Sequence, residues 1–184
     1  MLKSIKTRAL LLVPLIVLVL MTVFFVLGYL VTIVLRMPFS FGFNLPIRLL
    51  GLLLLSFVFF FFIWLFKYRK PVDVLISTYV TFSKVKRKNS LQKLSGRTEP
   101  LVVQGPYRYI RHPLYFGVVL LVIGWFLLLD YSFLLVSAII LLLWFNFVVA
   151  SFEEKELRAI FGGQYNQYSK KVPKMIPFTK RGKK

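Results

Sequence analysis

Long apolar runs alternate with short, strongly basic segments along this chain. From Ala9 to Leu35 no residue carries a charge, and that run is longer than the roughly 20 residues needed to cross a bilayer core. A second run extends from about Ile47 to Phe66 and stops at Lys67, Arg69 and Lys70. A third begins at Pro113 and ends at Leu129, where Asp130, Tyr131 and Ser132 interrupt it; a fourth runs from Phe133 to about Phe152. The third is the shortest, which predicts a shallow or tilted crossing. The connection between the last two is short, which predicts an antiparallel helical hairpin. The first run lacks the short apolar core and small-residue cleavage site of a signal peptide, so an anchor is expected. Pro14 lies near its start, where proline is tolerated. The expected fold class is therefore an all-α integral membrane protein with about four transmembrane helices. Residues 1–184 are expected to form a single membrane domain: two N-terminal spans (1–66), a cytoplasmic loop (67–112), the hairpin (113–152) and a cytoplasmic C-terminal segment (153–184).

Charge sets the expected orientation. Of 25 Lys+Arg, only Arg36 and Arg48 fall on the side opposite the N-terminus, the 67–112 loop and the tail. Positive charge concentrates on the cytoplasmic side of membrane proteins, so both termini are expected inside. A net charge of +19 could signal nucleic-acid binding. Here it lies between apolar runs, so anionic lipid headgroups are the expected counter-surface and nucleic acid is not. The same reading applies to the run Lys84, Lys86, Arg87 and Lys88, and to the basic tail from Lys180 to Lys184. Composition agrees: 58% of residues are hydrophobic and mean hydropathy is +0.76. Without cysteine there is no disulfide, thiolate metal site or cysteine nucleophile. One histidine, His112, cannot build a multi-histidine metal site.

Nearly all polar chemistry thus falls in two segments, 67–112 and 153–184. Within the first, Leu101 to Tyr115 combines a Gly105-Pro106 turn signal with Tyr107, Arg108, Tyr109, Arg111, His112 and Tyr115. His112 precedes proline and is pushed out of the helical region, whereas Pro113 suits a first helical turn. An irregular loop should therefore feed a helix N-terminus, whose free N–H groups suit a carboxylate. Taken alone, the cluster reads more readily as an interfacial aromatic and basic belt. In the second segment, Phe152 to Gly163 predicts a continuation of the fourth helix ended by Gly162. On an ideal helix Glu154 and Arg158 form a solvated i,i+4 pair, while Glu153 shares an inward face with Leu157 and Ile160. Asn146, seven residues earlier, falls on that face. A polar residue within a span is a functional candidate, although a helix–helix hydrogen bond explains it equally well.

The order of these features carries more than any one of them. Arg111-His112-Pro113-Leu114-Tyr115, then Glu153-Glu154, Tyr165-x-x-Tyr168 and Val172-Pro173-x-x-x-Pro177 resemble the isoprenylcysteine carboxyl methyltransferase and phospholipid methyltransferase superfamily. The resemblance covers roughly Gln92 to Pro177. It implies an S-adenosylmethionine-dependent methyltransferase whose donor site is built from the hairpin and the cytoplasmic C-terminal segment. Donor contacts would fall on Gln92, Glu99, Pro100, Leu101, Val102, Tyr107, His112, Pro113, Leu114, Tyr115 and Glu153. His112 and Glu153 would be the catalytic residues, with Asn146 and Arg111 toward the acceptor. One departure stands out. The prenylcysteine enzymes carry an arginine four residues before this glutamate, and here that position is Val149. Valine cannot bind a carboxylate bidentately as arginine does.

Methyl transfer is an in-line displacement that needs no metal and no covalent enzyme intermediate, only alignment and exclusion of water. The 101–112 loop and the C-terminal segment, broken by Pro173 and Pro177, would close over the donor. A lipophilic or lipid-modified acceptor would enter between the third and fourth helices. Phospholipid methylation, or methylation of a small lipophilic amine, thiol or hydroxyl, is an alternative. So are a sterol-type reductase using NADPH, and a non-catalytic membrane scaffold.

Overall fold

The computed structural model describes residues 2–76, 79 and 100–177. Every regular element among them is helical. The loop 35–44 joins α1 (Leu2–Val34) to α2 (Leu45–Tyr68); α3 (Pro113–Leu129) and α4 (Ser132–Trp144) form the hairpin. α4 runs through a π-helical turn, Phe145–Val149, into α5 (Ala150–Lys171), and a 3-10 turn, Gly105–Arg108, precedes α3. The first helix starts at Leu2, before the apolar run begins, and the fourth continues well past Phe152. Ala9–Val34, Leu45–Tyr68 and Ser132–Lys171 are long and apolar enough to cross a membrane; Pro113–Leu129 is apolar but shorter.

α1 packs on α4, α4 on α3 and α3 on α2, so the hairpin forms the centre and the N-terminal spans flank it. Small residues let the backbones approach. A Cβ on Gly28 of α1 would come within 2.0 Å of the Ser137 hydroxyl, and one on Gly51 of α2 within 2.7 Å of the Leu128 nitrogen. Between α3 and α4 lies the core, with Val119, Val122, Phe126, Leu134, Ala138 and Leu141 all buried.

α3 has 17 residues, about 26 Å of helix, a little short of the roughly 30 Å hydrocarbon core. A polar residue stands at each end. His112 caps its start. Asp130, left-handed at φ 62°, follows its last residue and reaches the loop between α1 and α2. There the carboxylate accepts from the Ser40 hydroxyl at 2.6 Å and from the backbone N–H groups of Phe41 and Phe43 at 3.0 and 2.8 Å. α2 starts just beyond, where the Asn44 side chain accepts from the Ile47 N–H.

At the opposite end the chain folds back on itself. Gly162 takes φ 50° within α5, the break expected there, and a further helical stretch ends at Lys171. The segment 172–177 then lies against the start of α3: Arg111 N–H donates to the Pro173 carbonyl at 3.0 Å, and His112 N–H to that of Lys174 at 3.1 Å. Val172 and Met175 are buried beneath it.

Candidate active site

The site begins where the loop enters α3. His112 has φ −122° and ψ 63°, because the following proline excludes the helical region. Its imidazole is 4% exposed. Nδ1 lies 3.3 Å from Glu153 Oε2, and Nε2 lies 3.4 Å from Glu154 Oε1. Only an imidazolium donates from both ring nitrogens. Burial alone would lower the His112 pKa, but the hydrogen bonds and charges of Glu153 and Glu154 outweigh it and the pKa is raised. Arg111 Nη1 binds the same Glu154 oxygen at 3.1 Å, and Arg158 stands 3.6 Å from the other.

Glu153 points inward, as its helical face predicts, whereas Glu154 departs from the straight-helix expectation. Glu154 is no solvated surface acid: it is 8% exposed and is the hub of an ion-pair cluster with Arg111, His112 and Arg158. Glu153 lines a cavity. Glu154 is buried because Arg111 and His112, from a distant segment, pack against it; Asn146 parts from the Glu153 face for a reason found in the turn between them. Within Phe145–Val149 the Ala150 N–H bonds to the Phe145 carbonyl, five residues back rather than four. Each inserted residue rotates everything after it by about 100°, so the periodicity that put Asn146 on the Glu153 face does not survive the turn.

The cavity has a volume of about 630 Å³, within the ~300–1,000 Å³ of small-molecule and cofactor sites. Pro100, Leu101, Val102, Tyr107, Arg111, His112, Pro113, Leu114, Tyr115 and Glu153 all line it. These residues come from positions far apart in sequence and meet at one mouth. Gln92 and Glu99 lie outside the described residues. Asn146 is not part of the wall; its carbonyl accepts from Lys174 Nζ and, at 3.2 Å, from the Ser151 hydroxyl. An aromatic column runs inward from the polar end. His112 stacks on Tyr115 at 5.7 Å and 16°, and Tyr115 on Phe145 at 4.7 Å and 14°. Tyr168 donates 2.6 Å to the Tyr107 carbonyl and so pins the loop to α5.

Other contributors escaped the sequence reading. Val13, Val17, Leu20, Met21 and Phe24 of α1 form an apolar wall that continues onto Trp144, whose ring lies 5.1 Å from that of Phe24, and Val148; Val149, already singled out in the sequence, also lines the cavity. Nothing in a uniformly apolar helix marks which face meets a cavity and which meets lipid. Phe66 and Arg69 at the end of α2, and Tyr165 on α5, also contribute. Tyr165 was visible in the Tyr-x-x-Tyr spacing. Its hydroxyl is buried close to the Arg111 guanidinium. The expected passage between α3 and α4 is closed by the buried core those helices share.

Fold and site together define a class: a helical membrane protein with a cavity at one end of its bundle, charged at the mouth and apolar within. A family model for phospholipid methyltransferases matches residues 47–164, and the chain belongs to this family of membrane methyltransferases. It is 36% identical over 87 residues to a methanethiol S-methyltransferase from Crocosphaera subtropica, covering 43% of this chain and 31% of that protein. It is 38% identical over 78 residues to a protein-S-isoprenylcysteine O-methyltransferase from Schizosaccharomyces pombe, covering 42% of this chain and 33% of that protein. The chain thus spans about a third of the length of these curated relatives. No solved structure matches it.

Proposed function

We propose that this protein transfers a methyl group from S-adenosylmethionine to a lipophilic acceptor, at the cytoplasmic face of a membrane. The observation that carries the reading is the meeting of His112 and Glu153, 3.3 Å apart, on the wall of one cavity with Leu101, Val102, Tyr107 and Tyr115. The cavity suits the donor by volume and by chemistry: a carboxylate and an aromatic column are groups that attract a cation. When bound, the donor supplies an electrophilic methyl on a sulfonium. Glu153 and the rings of Tyr107 and Tyr115 hold its polar and cationic parts. His112 donates to two carboxylates at once and holds Glu153 in place; in that state it has no lone pair with which to act as a base. The apolar walls exclude water and orient the acceptor.

The acceptor's path runs along α1, whose side chains form the apolar wall. Val149 on the cavity wall favours an acceptor without a carboxylate at that point, a feature shared by thiols, amines and hydroxyls on lipophilic frames. The basic excess on the side of the mouth supports a cytoplasmic orientation next to anionic lipid. A nicotinamide-dependent reductase is not favoured, because the named relatives are methyltransferases.

The test is calorimetric titration of the detergent-solubilised protein with S-adenosylhomocysteine, followed by labelled methyl transfer into a total lipid extract. Binding is expected in the wild type and in Asn146→Ala, and a roughly hundredfold weaker affinity in Glu153→Ala, the cost of about 2–3 kcal/mol for truncating a paired charge. Absence of binding in the wild type would leave the scaffold reading standing.

A further inference from the structure

Lys174 lies beyond the last helix, yet its side chain runs back into the bundle. Its ammonium donates to the Asn146 carbonyl and, at 2.8 Å, to the Ser151 hydroxyl. Ser151 itself donates to the same carbonyl at 3.2 Å. Asn146 belongs to the π-helical turn and Ser151 to the first turn of α5, so one ammonium bridges both sides of the irregularity. The backbone of Lys174 meanwhile accepts from His112 N–H at 3.1 Å. A single residue therefore touches His112 through its carbonyl and, through its ammonium, the turn that sets the rotation of the two glutamates.

A π turn is rare and is frequently found at functional sites. Something must hold it against the regular helix, and a charge-assisted donor on one of its carbonyls is a strong hold. We propose that Lys174 is a positioning residue: it locks the π turn at Phe145–Val149, and through it the register that brings Glu153 and Glu154 onto His112. Lys174 does not itself line the cavity; it meets His112 only through its backbone carbonyl. Its charged neighbours are Glu154 and Arg111; those of His112 are Glu153 and Glu154.

The chain has one histidine, so protein labelled with 15N-histidine gives a single imidazole to titrate in detergent. In Lys174→Met the His112 midpoint falls by roughly one pH unit as the carboxylates turn away; in Lys174→Arg, which keeps a charged donor, it holds. Removing a nearby cation would by itself push the midpoint up, so a fall reports geometry and not lost charge. An unchanged or raised midpoint in folded Lys174→Met overturns the proposal. Should that variant not fold, Lys174→Gln and Ser151→Ala are titrated instead: a smaller fall supports the proposal and no change overturns it. This assignment rests on the methyltransferase reading in its ligand arm alone, where S-adenosylhomocysteine binding weakens about tenfold in Lys174→Met and is restored in Lys174→Arg. If the wild type binds no S-adenosylhomocysteine, that reading fails and the His112 titration still decides the role of Lys174.

Discussion

Each end of the hairpin buries an acid, and the two acids are satisfied in opposite ways. At one end Asp130 accepts from a hydroxyl and two backbone N–H groups of the 35–44 loop. Backbone donors stay where the fold puts them, so this end is a clasp. At the other end Glu154 is satisfied by side-chain cations, Arg111, His112 and Arg158. Glu153 beside it shares His112 while facing the cavity. Side-chain partners can be tuned by protonation and by ligand, and an acid held that way can serve chemistry. The same hairpin thus offers a structural end and a reactive end.

The contrast is sharpest in paired truncations. Glu153→Ala should weaken S-adenosylhomocysteine roughly hundredfold, while Asp130→Ala should lower thermal stability and leave that affinity near wild type. Calorimetry and melting in detergent read both; similar behaviour in the two variants would dissolve the distinction. Next in size is Glu154→Ala, which leaves the buried cations Arg111 and His112 short of a partner. It should cost about 3 kcal/mol or more of stability, as breaking a buried pair does, and weaken donor binding as well.

A third expectation concerns pH. The His112 pKa is higher in the folded protein than its ordinary value near 6.5. The stabilisation this provides is complete below about pH 6.5 and disappears as pH rises through the raised folded value. Melting temperature should therefore decline over that interval, and His112→Asn should remove the decline. Asp130→Asn should leave it intact, since that acid makes no contact with His112. The smallest effect is on specificity. Val149→Arg should reduce labelled transfer to neutral lipophilic acceptors by several-fold and leave S-adenosylhomocysteine affinity close to wild type, because the residue lies on the apolar wall.

Much of this could be read along the chain. Span positions followed from apolar length, the hairpin from the short Asp130–Ser132 break, and the loop into α3 from His112-Pro113. The candidate donor contacts that the structure describes were named from the family resemblance, and they line one cavity. The position of Asn146 relative to Glu153 was not legible, because helical facing assumes 3.6 residues per turn and the π turn between them violates it; nor was the burial of Glu154, which rests on Arg111 and His112 from a distant segment. Nor was the contribution of α1: Val13 and Val17 look like any lipid-facing valines. Lys174 fell on an unspecified position of Val172-Pro173-x-x-x-Pro177, with no sign of a partner 28 positions earlier.

Local and periodic properties were thus determined by sequence alone: where apolar length permits a span, where proline forbids a helix, which side gathers positive charge, and which residue types occur in which order. Those depend on neighbours a few positions apart. Which acid is buried, which face of α1 meets the cavity and what the ammonium of Lys174 holds were decided only in the folded bundle. Each depends on contacts between segments distant in the chain, and on a single inserted residue in one helical turn that changes the direction of everything after it.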